Sequence, residues 1–206
     1  MAPPTLEAQL QAAGLELVGR CEQLSQWPGL LLQSPLLQDF APAEADVLGA
    51  QMLHVRARAG QLLIAEGAAS DWLMLLLRGT VDVGKRKVGA EGDAGDAGES
   101  TRLAVMREGA VLGEMSMIDG EPRYASCWAL TDVEAAVLSR AAVGQLIASH
   151  PAIGAKLLVK LTQLLAQRLR NTSNQLVKLL RRTSGSALET ASAGHPPSLP
   201  PPVPPG

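Results

Sequence analysis

The chain has 206 residues, of which 47% are hydrophobic and 18% charged, with a formal net charge of −2. That length suits one ordinary domain with extensions and is short for two full ones, and the balance of charge excludes a global pull toward nucleic acid or an anionic membrane. The composition is that of a globular chain rather than a disordered one, and with three Trp, one Tyr and one Phe its core must be aliphatic. Cys21 and Cys127 are the only cysteines, too few and too far apart for a disulfide framework or a four-cysteine metal or cluster site. Both read as free thiols in a reducing compartment. The N-terminus lacks a basic start followed by an apolar run, and no segment approaches the roughly 20 apolar residues that span a bilayer. A cytoplasmic protein without membrane contact is expected.

In chain order, Thr5 is a fair helix N-cap, and Leu6, Leu10, Leu15, Leu17 and Val18 give a loose helical stripe interrupted by Gly14. A second short helix is predicted over Cys21–Trp27, a turn over Ser34–Phe40 and a helix over Ala41–Ala50 with Pro42 in its first turn. From Met52 the texture changes to short apolar runs at Met52–Arg58, Gln61–Ala65, Trp72–Arg78, Thr80–Val83, Thr101–Met106, Ala110–Leu112, Tyr124–Leu130 and Val133–Ser139. Glycines at 60, 67, 79, 109 and 120 fall at the joints, the pattern of an antiparallel barrel or roll. Gly84–Ser100, whose middle has no bulky apolar residue, reads as a floppy hairpin tip.

Arg140–His150 then reads as a helix stopped by Pro151, and a longer helix as running from about Ala152 to Arg182. Its positions Leu161, Leu165, Leu169, Thr172, Leu176 and Leu179 are spaced by three or four, as a two-helix interface requires; packing against the chain's own barrel is the alternative. Lys156, Lys160, Arg168, Arg170, Lys178, Arg181 and Arg182 form a basic row that reads as a solvated face, with a surface for an acidic partner or nucleic acid as the alternative. Residues 183–206 hold half of the fourteen prolines and are expected to be a disordered tail with polyproline II character.

One stretch carries chemistry. Gly113-Glu114-Met115-Ser116 is followed by an apolar turn, Asp119-Gly120, Pro122 and then Arg123, nine residues beyond Glu114. Gly113 lets a backbone approach a ligand closely, and the Met115–Ile118 turn would aim free N–H groups at an anion. A carboxylate at 114 can accept from a sugar hydroxyl, while the planar donor fork of Arg123 suits a phosphate. His54, His150 and His195 are scattered, so neither catalytic residues nor a metal site is expected, although a single axial ligand from Cys21 or His54 stays open.

Gly-Glu-x-Ser, the nine-residue Glu-to-Arg spacing and the glycine-jointed strands resemble the phosphate-binding cassette of cyclic nucleotide-binding domains. Gly60–Gly67 looks like that family's early strand pair, and Leu73–Gly79 like its central apolar strand closed by glycine. The resemblance covers about residues 30–182 and is strongest to the sensory half of bacterial CRP/FNR-type regulators. It implies an α+β, mainly β fold: an antiparallel β-roll (jelly roll, double-stranded β-helix) with N-terminal helices and a long C-terminal helix. The implied organisation is a helical extension over 1–29, the nucleotide-binding roll over 30–150, a dimerisation helix over 151–182 and the tail over 183–206.

By that resemblance the ligand is a cyclic nucleotide, cyclic AMP or cyclic GMP, held by Gly113, Glu114, Met115, Ser116, Arg123, Tyr124 and Ala125. Glu114 would take the ribose 2′-hydroxyl and Arg123 the cyclic phosphate, while Thr172 and Ser173 would contact the base. Thr172 could instead specify the helix interface or bond its own backbone. Tyr124 departs from the Ser, Thr or Ala usual beside the phosphate, so its phenol either points away or fills part of the pocket. The implied function is a non-enzymatic sensor, a homodimer through residues 152–182, that signals to an effector protein. The alternatives are a CRP/FNR-type transcription regulator or DNA-associated subunit without its own DNA-reading head, and a degenerate module that no longer binds. No helix-turn-helix pattern follows the long helix, so direct DNA reading is not expected.

Overall fold

The computed structural model describes residues 5–86 and 100–192. The expected hairpin tip at 87–99 and the last part of the expected tail, 193–206, lie outside them. The chain divides into two compact units, Met1–Leu164 and Leu165–Gly206.

The first unit is a mainly antiparallel β-roll with helices. It opens with α1 (Leu6–Ala12), whose first turn is capped by the Thr5 hydroxyl accepting from the Ala8 N–H at 3.3 Å. Here the sequence reading needs correction: the stripe through Leu15, Leu17 and Val18 does not continue as helix. Gly14 takes a φ of +74°, ending the helix, and Glu16–Arg20 becomes strand β1, paired with Leu53–Ala57 (β2). The piece expected at Cys21–Trp27 is a single 3-10 turn, Leu24–Gln26, followed by α2 (Leu30–Gln33) and α3 (Pro42–Gly49). The strands come next: β3 (Leu62–Ile64), β4 (Trp72–Arg78), β5 (Val81–Arg86), β6 (Ser100–Met106) and β7 (Val111–Leu112). Helix α4 (Glu114–Asp119) interrupts them before β8 (Ser126–Ala129) and β9 (Val133–Ser139), after which α5 (Arg140–Ser149) and α6 (Pro151–Ser192) follow.

Two sheets form, one of five strands in the order β1-β2-β9-β4-β7 and one of four in the order β3-β8-β5-β6, with every pairing antiparallel. Strand β4 explains the layering. It is apolar from Trp72 to Leu77, where both its faces are covered, and these side chains alternate between two cores with the period of two that a pleated strand imposes. Trp72, Met74 and Leu76 pack between the sheets with Ile64, Val81, Leu112, Cys127 and Val137. Leu73, Leu75 and Leu77 pack on the opposite side with Leu36, Leu37, Leu48, Met52, Val143, Leu146, Leu157 and Leu161. The second core binds α2, α3, α5 and the start of α6 to one sheet face, whereas Leu10 of α1 packs into the first. Burial of each such side chain is worth about 1.5–3 kcal/mol.

Two lysines of the basic row are anchors rather than a solvated face. Lys156 donates to Glu44 of α3, and Lys160, nearly buried, pairs with Asp39. Helix α6 also runs on to Ser192 instead of stopping at Arg182. In the second unit Leu169, Leu176, Leu179 and Leu180 are exposed, Leu169 at 69%.

Two glycines on helices should behave oppositely. A Cβ on Gly49 would sit 2.2 Å from the Cys21 carbonyl oxygen, whereas a Cβ on Gly144 meets nothing within 4 Å. In urea unfolding, Gly49→Ala is expected to lower stability by about 2 kcal/mol or more through overpacking, and Gly144→Ala to raise it by about 0.5–1 kcal/mol through helix propensity.

Candidate functional site

The stretch that carried the sequence argument forms the connection between β7 and β8. Gly113 takes φ +72°, ψ +13°, a left-handed conformation in which a side chain would be strained, and so turns the chain out of β7 into α4. Gly120 ends the helix in the same way at φ +82°, with its N–H donating to the Ser116 carbonyl at 3.0 Å. Between them Glu114 and Ser116 are buried, at 1% and 2% exposure, while Met115 and Ile118 point outward.

From Gly120 the chain returns along the β3–β4 loop. The Arg123 N–H donates to Ala68 O at 2.9 Å, and Arg123 O accepts from Gly67 N at 2.8 Å, so the backbone on either side of the arginine is fixed. Its side chain turns into the molecule and is 97% buried, leaving 3% exposed. Nη1 donates to Gly113 O at 2.5 Å, Nη2 to Trp72 O at 2.6 Å, and the guanidinium lies over the Trp72 ring, Cζ to centroid 4.3 Å. Arg123 Nε has no hydrogen-bond partner. Burial pushes the pKa of the guanidinium down to about 10, opposed by the negative charges that Cys127, Glu114 and Asp71 can carry. This is a cation that has lost its water, with a neighbouring carboxylate and donors to spare.

Tyr124, where the sequence left two orientations open, points away from that cation. It is 55% exposed, and its ring lies under Lys85 Nζ at 3.6 Å. Ala125 is half-buried at the entry to β8. The structure thus brings together Gly113, Glu114, Ser116 and Arg123, with Met115, Tyr124 and Ala125 at their margins. Thr172 and Ser173 are exposed positions of α6 in the second unit.

Sequence reasoning missed two participants. Trp72 was a strand residue and Arg140 merely a helix start. Arg140 donates from Nε to Met117 O at 2.6 Å and from Nη2 to Ser116 O at 3.0 Å, while its own N–H donates to Asp71 O at 2.8 Å. It therefore ties the carboxyl end of α4, the negative end of its dipole, to the first turn of α5. Neither position carries a local motif. Two clefts also lie away from this site: one of about 560 Å³ bordered by Arg20, Cys21, Trp27 and His54, and one of about 1000 Å³ bordered by Glu16, Arg56, Arg78 and Asp132. Cys21 is no nucleophile there, since burial first and Glu134 second push its thiol up to about 12. Among the described residues no group of three or more His, Cys, Asp or Glu is assembled for a metal, and no helix is long and apolar enough to cross a membrane.

The family model described as "Cyclic nucleotide-binding domain" matches residues 54–150, which contain Trp72, the whole stretch from Gly113 to Ala125, and Arg140. The chain belongs to the cyclic nucleotide-binding domain family. It is similar to a crystal structure of a cyclic nucleotide-binding domain from Methylobacillus flagellatus, with 32% identity, a TM-score of 0.71, and coverage of 86% of this chain and 96% of that one. It is also 32% identical over 151 residues to a CRP-like cAMP-activated global transcriptional regulator of Mycobacterium tuberculosis, covering 73% of this chain and 62% of the regulator. A third similarity, 27% over 124 residues, is to a cAMP-dependent protein kinase regulatory subunit of Yarrowia lipolytica, covering 60% of this chain and 30% of the subunit. The chain therefore spans less than two thirds of either relative, and both are named for regulation.

Gly113 and Gly120 offer a controlled comparison within the cassette. Both have positive φ, but a Cβ on Gly113 would lie 2.2 Å from Arg123 Nη1, whereas one on Gly120 clears Arg140 at 3.4 Å. In denaturant unfolding, Gly113→Ala is expected to cost about 1–3 kcal/mol more than Gly120→Ala, because Arg123 must give up its buried hydrogen bonds.

Proposed function

We propose that the chain is a cyclic-nucleotide-sensing regulatory module that signals through protein contacts and has no catalytic activity, with cyclic AMP preferred to cyclic GMP. The observation that carries this reading is Arg123, a desolvated guanidinium with an unpartnered Nε at the motif position that the family gives to its phosphate-binding arginine. A cyclic phosphate restores to that cation the counter-charge that burial removed. Glu114, buried beside it, is the acceptor for the ribose 2′-hydroxyl, and the backbone at Gly113 and Ser116 lines the ligand. Met115 and Ala125 flank it. The outward ring of Tyr124 supports a working cassette over a degenerate one. Thr172 and Ser173 are proposed as base contacts on the family resemblance alone. The preference for cyclic AMP leans on the names of the mycobacterial and Yarrowia relatives.

Arg140 gives the ligand a mechanical outlet. A ligand that favours one position of α4 favours one position of the carbonyls that Arg140 holds, and hence of α5. Calorimetric titration is expected to give binding of cyclic AMP, with affinity reduced at least about 100-fold in Arg123→Ala, the loss of a buried charge-assisted pair. Absence of heat with both cyclic AMP and cyclic GMP at millimolar ligand would sink the reading.

The lowered guanidinium pKa supplies a second test. Between its folded value of about 10 and its higher unfolded value, the native state binds fewer protons than the unfolded state, so this group's contribution to stability rises with pH there. An anion reverses the shift. Binding of cyclic AMP should therefore take up protons at and above a pH of about 10, where the free guanidinium loses a proton that the anion-bound one keeps, and none near neutrality, read by calorimetry in buffers of different ionisation enthalpy.

The exposed Leu169, Leu176 and Leu179 support a homodimer through residues 152–182, with an effector protein as the further partner. Light scattering should give a dimer for the native chain and a monomer for the Leu176→Asp/Leu179→Asp variant. A DNA-associated role is the second reading, favoured by the similarity to a transcriptional regulator and the exposed Arg170 and Lys178. A salt-dependent gel shift by the full chain would support it.

A further inference from the structure

Trp72 opens β4 and faces the space between the sheets at 4% exposure. Its carbonyl accepts from Arg123 Nη2, a contact available to any residue at that position, but its ring also backs the guanidinium, a contact that only an aromatic side chain makes. Packing alone does not ask for an indole: Met74 and Leu76 fill the same face of the strand with aliphatic groups. Moreover, two donors of the stacked pair, Arg123 Nε and Trp72 Nε1, are buried without a hydrogen-bond partner. No protein group takes up either hydrogen, so both remain available to an acceptor that is not part of this chain.

We propose that Trp72 is a positioning residue for anion capture: its ring fixes the plane of the Arg123 guanidinium, keeping Nε and the remaining Nη hydrogens ready for a phosphate oxygen. An aromatic face attracts a cation most strongly when both are out of water, so the ring supports a charge that burial otherwise disfavours. An aliphatic residue would keep the packing and lose the attraction, and the long arginine would regain rotamers that a ligand must then freeze out. Trp72 thus separates the two tasks of β4 at its first residue, one side chain serving both the core and the cassette.

The consequence for affinity rests on the cyclic-nucleotide reading, whereas the first test does not. In ligand-free protein labelled with ¹⁵N-arginine, the Arg123 Nε–H is expected as a ring-current-shifted, exchange-protected signal. Trp72→Leu, or Trp72→Met if the leucine variant does not fold, should return it to the ordinary arginine position, and Trp72→Phe should keep the shift. A signal unmoved by the aliphatic variant overturns the inference. Titrated with cyclic AMP, the aliphatic variant should bind about tenfold more weakly and Trp72→Phe within about threefold of wild type, the scale of one desolvated cation–π contact. Equal affinity in the aliphatic variant also overturns the inference. If the native chain shows the shifted signal yet binds no cyclic AMP, the nucleotide reading fails, and the arginine signal still decides the positioning role.

Discussion

A cation with almost no access to water sits where three parts of the β-roll meet. Arg123 is held by a carbonyl at the end of β7, a carbonyl at the start of β4 and the face of an indole, with its own backbone clamped to the β3–β4 loop. Burying a charge is costly, and main-chain carbonyls offset that cost only in part because they carry no net charge. Glu114 and Asp71 supply negative charge nearby, yet burial dominates and holds the guanidinium pKa below its ordinary value. The geometry is tight, since the glycine that precedes α4 has no room for a side chain against Nη1.

The rest of the fold serves as a rigid frame for that arrangement. Strand β4 is held on both faces, by the inter-sheet core and by the helical core, so its first carbonyl and its first side chain are fixed. The cassette helix α4 is short and depends on its ends: a left-handed glycine at each, and Arg140 gripping its last carbonyls. Such a short element depends on its surroundings for its position rather than on hydrogen bonds of its own. Arg140 also belongs to the first turn of α5, so the cassette and the helices beyond it share a residue rather than merely touching.

Much of this was legible in the sequence. The eight glycine-punctuated apolar runs from Met52 to Ser139 are all strands, because alternation and turn chemistry are written in adjacent residues. The Gly113–Glu114 to Arg123 spacing pointed to residues that the fold does bring together. The errors arose where local pattern was ambiguous. Leu15, Leu17 and Val18 fit a helical stripe, yet the nearby edge of β2 offered hydrogen bonds to an extended chain, and Gly14 permitted the turn into it. The basic row on α6 looked uniform, but Lys156 and Lys160 meet carboxylates on distant segments that the helix alone does not reveal.

The sequence by itself determined the antiparallel roll and its eight strands from Met52 to Ser139 with glycines at the joints, because each depends on residues within a few positions of one another. Only the tertiary structure decided that Tyr124 faces Lys85, that Arg140 holds α4 and that Arg123 is buried against Trp72, fifty-one positions earlier in the chain. Those outcomes are set by which surfaces the two sheets bring together and by how much water remains between them. Desolvation is a property of the assembled site, and no spacing of residues along the chain encodes it.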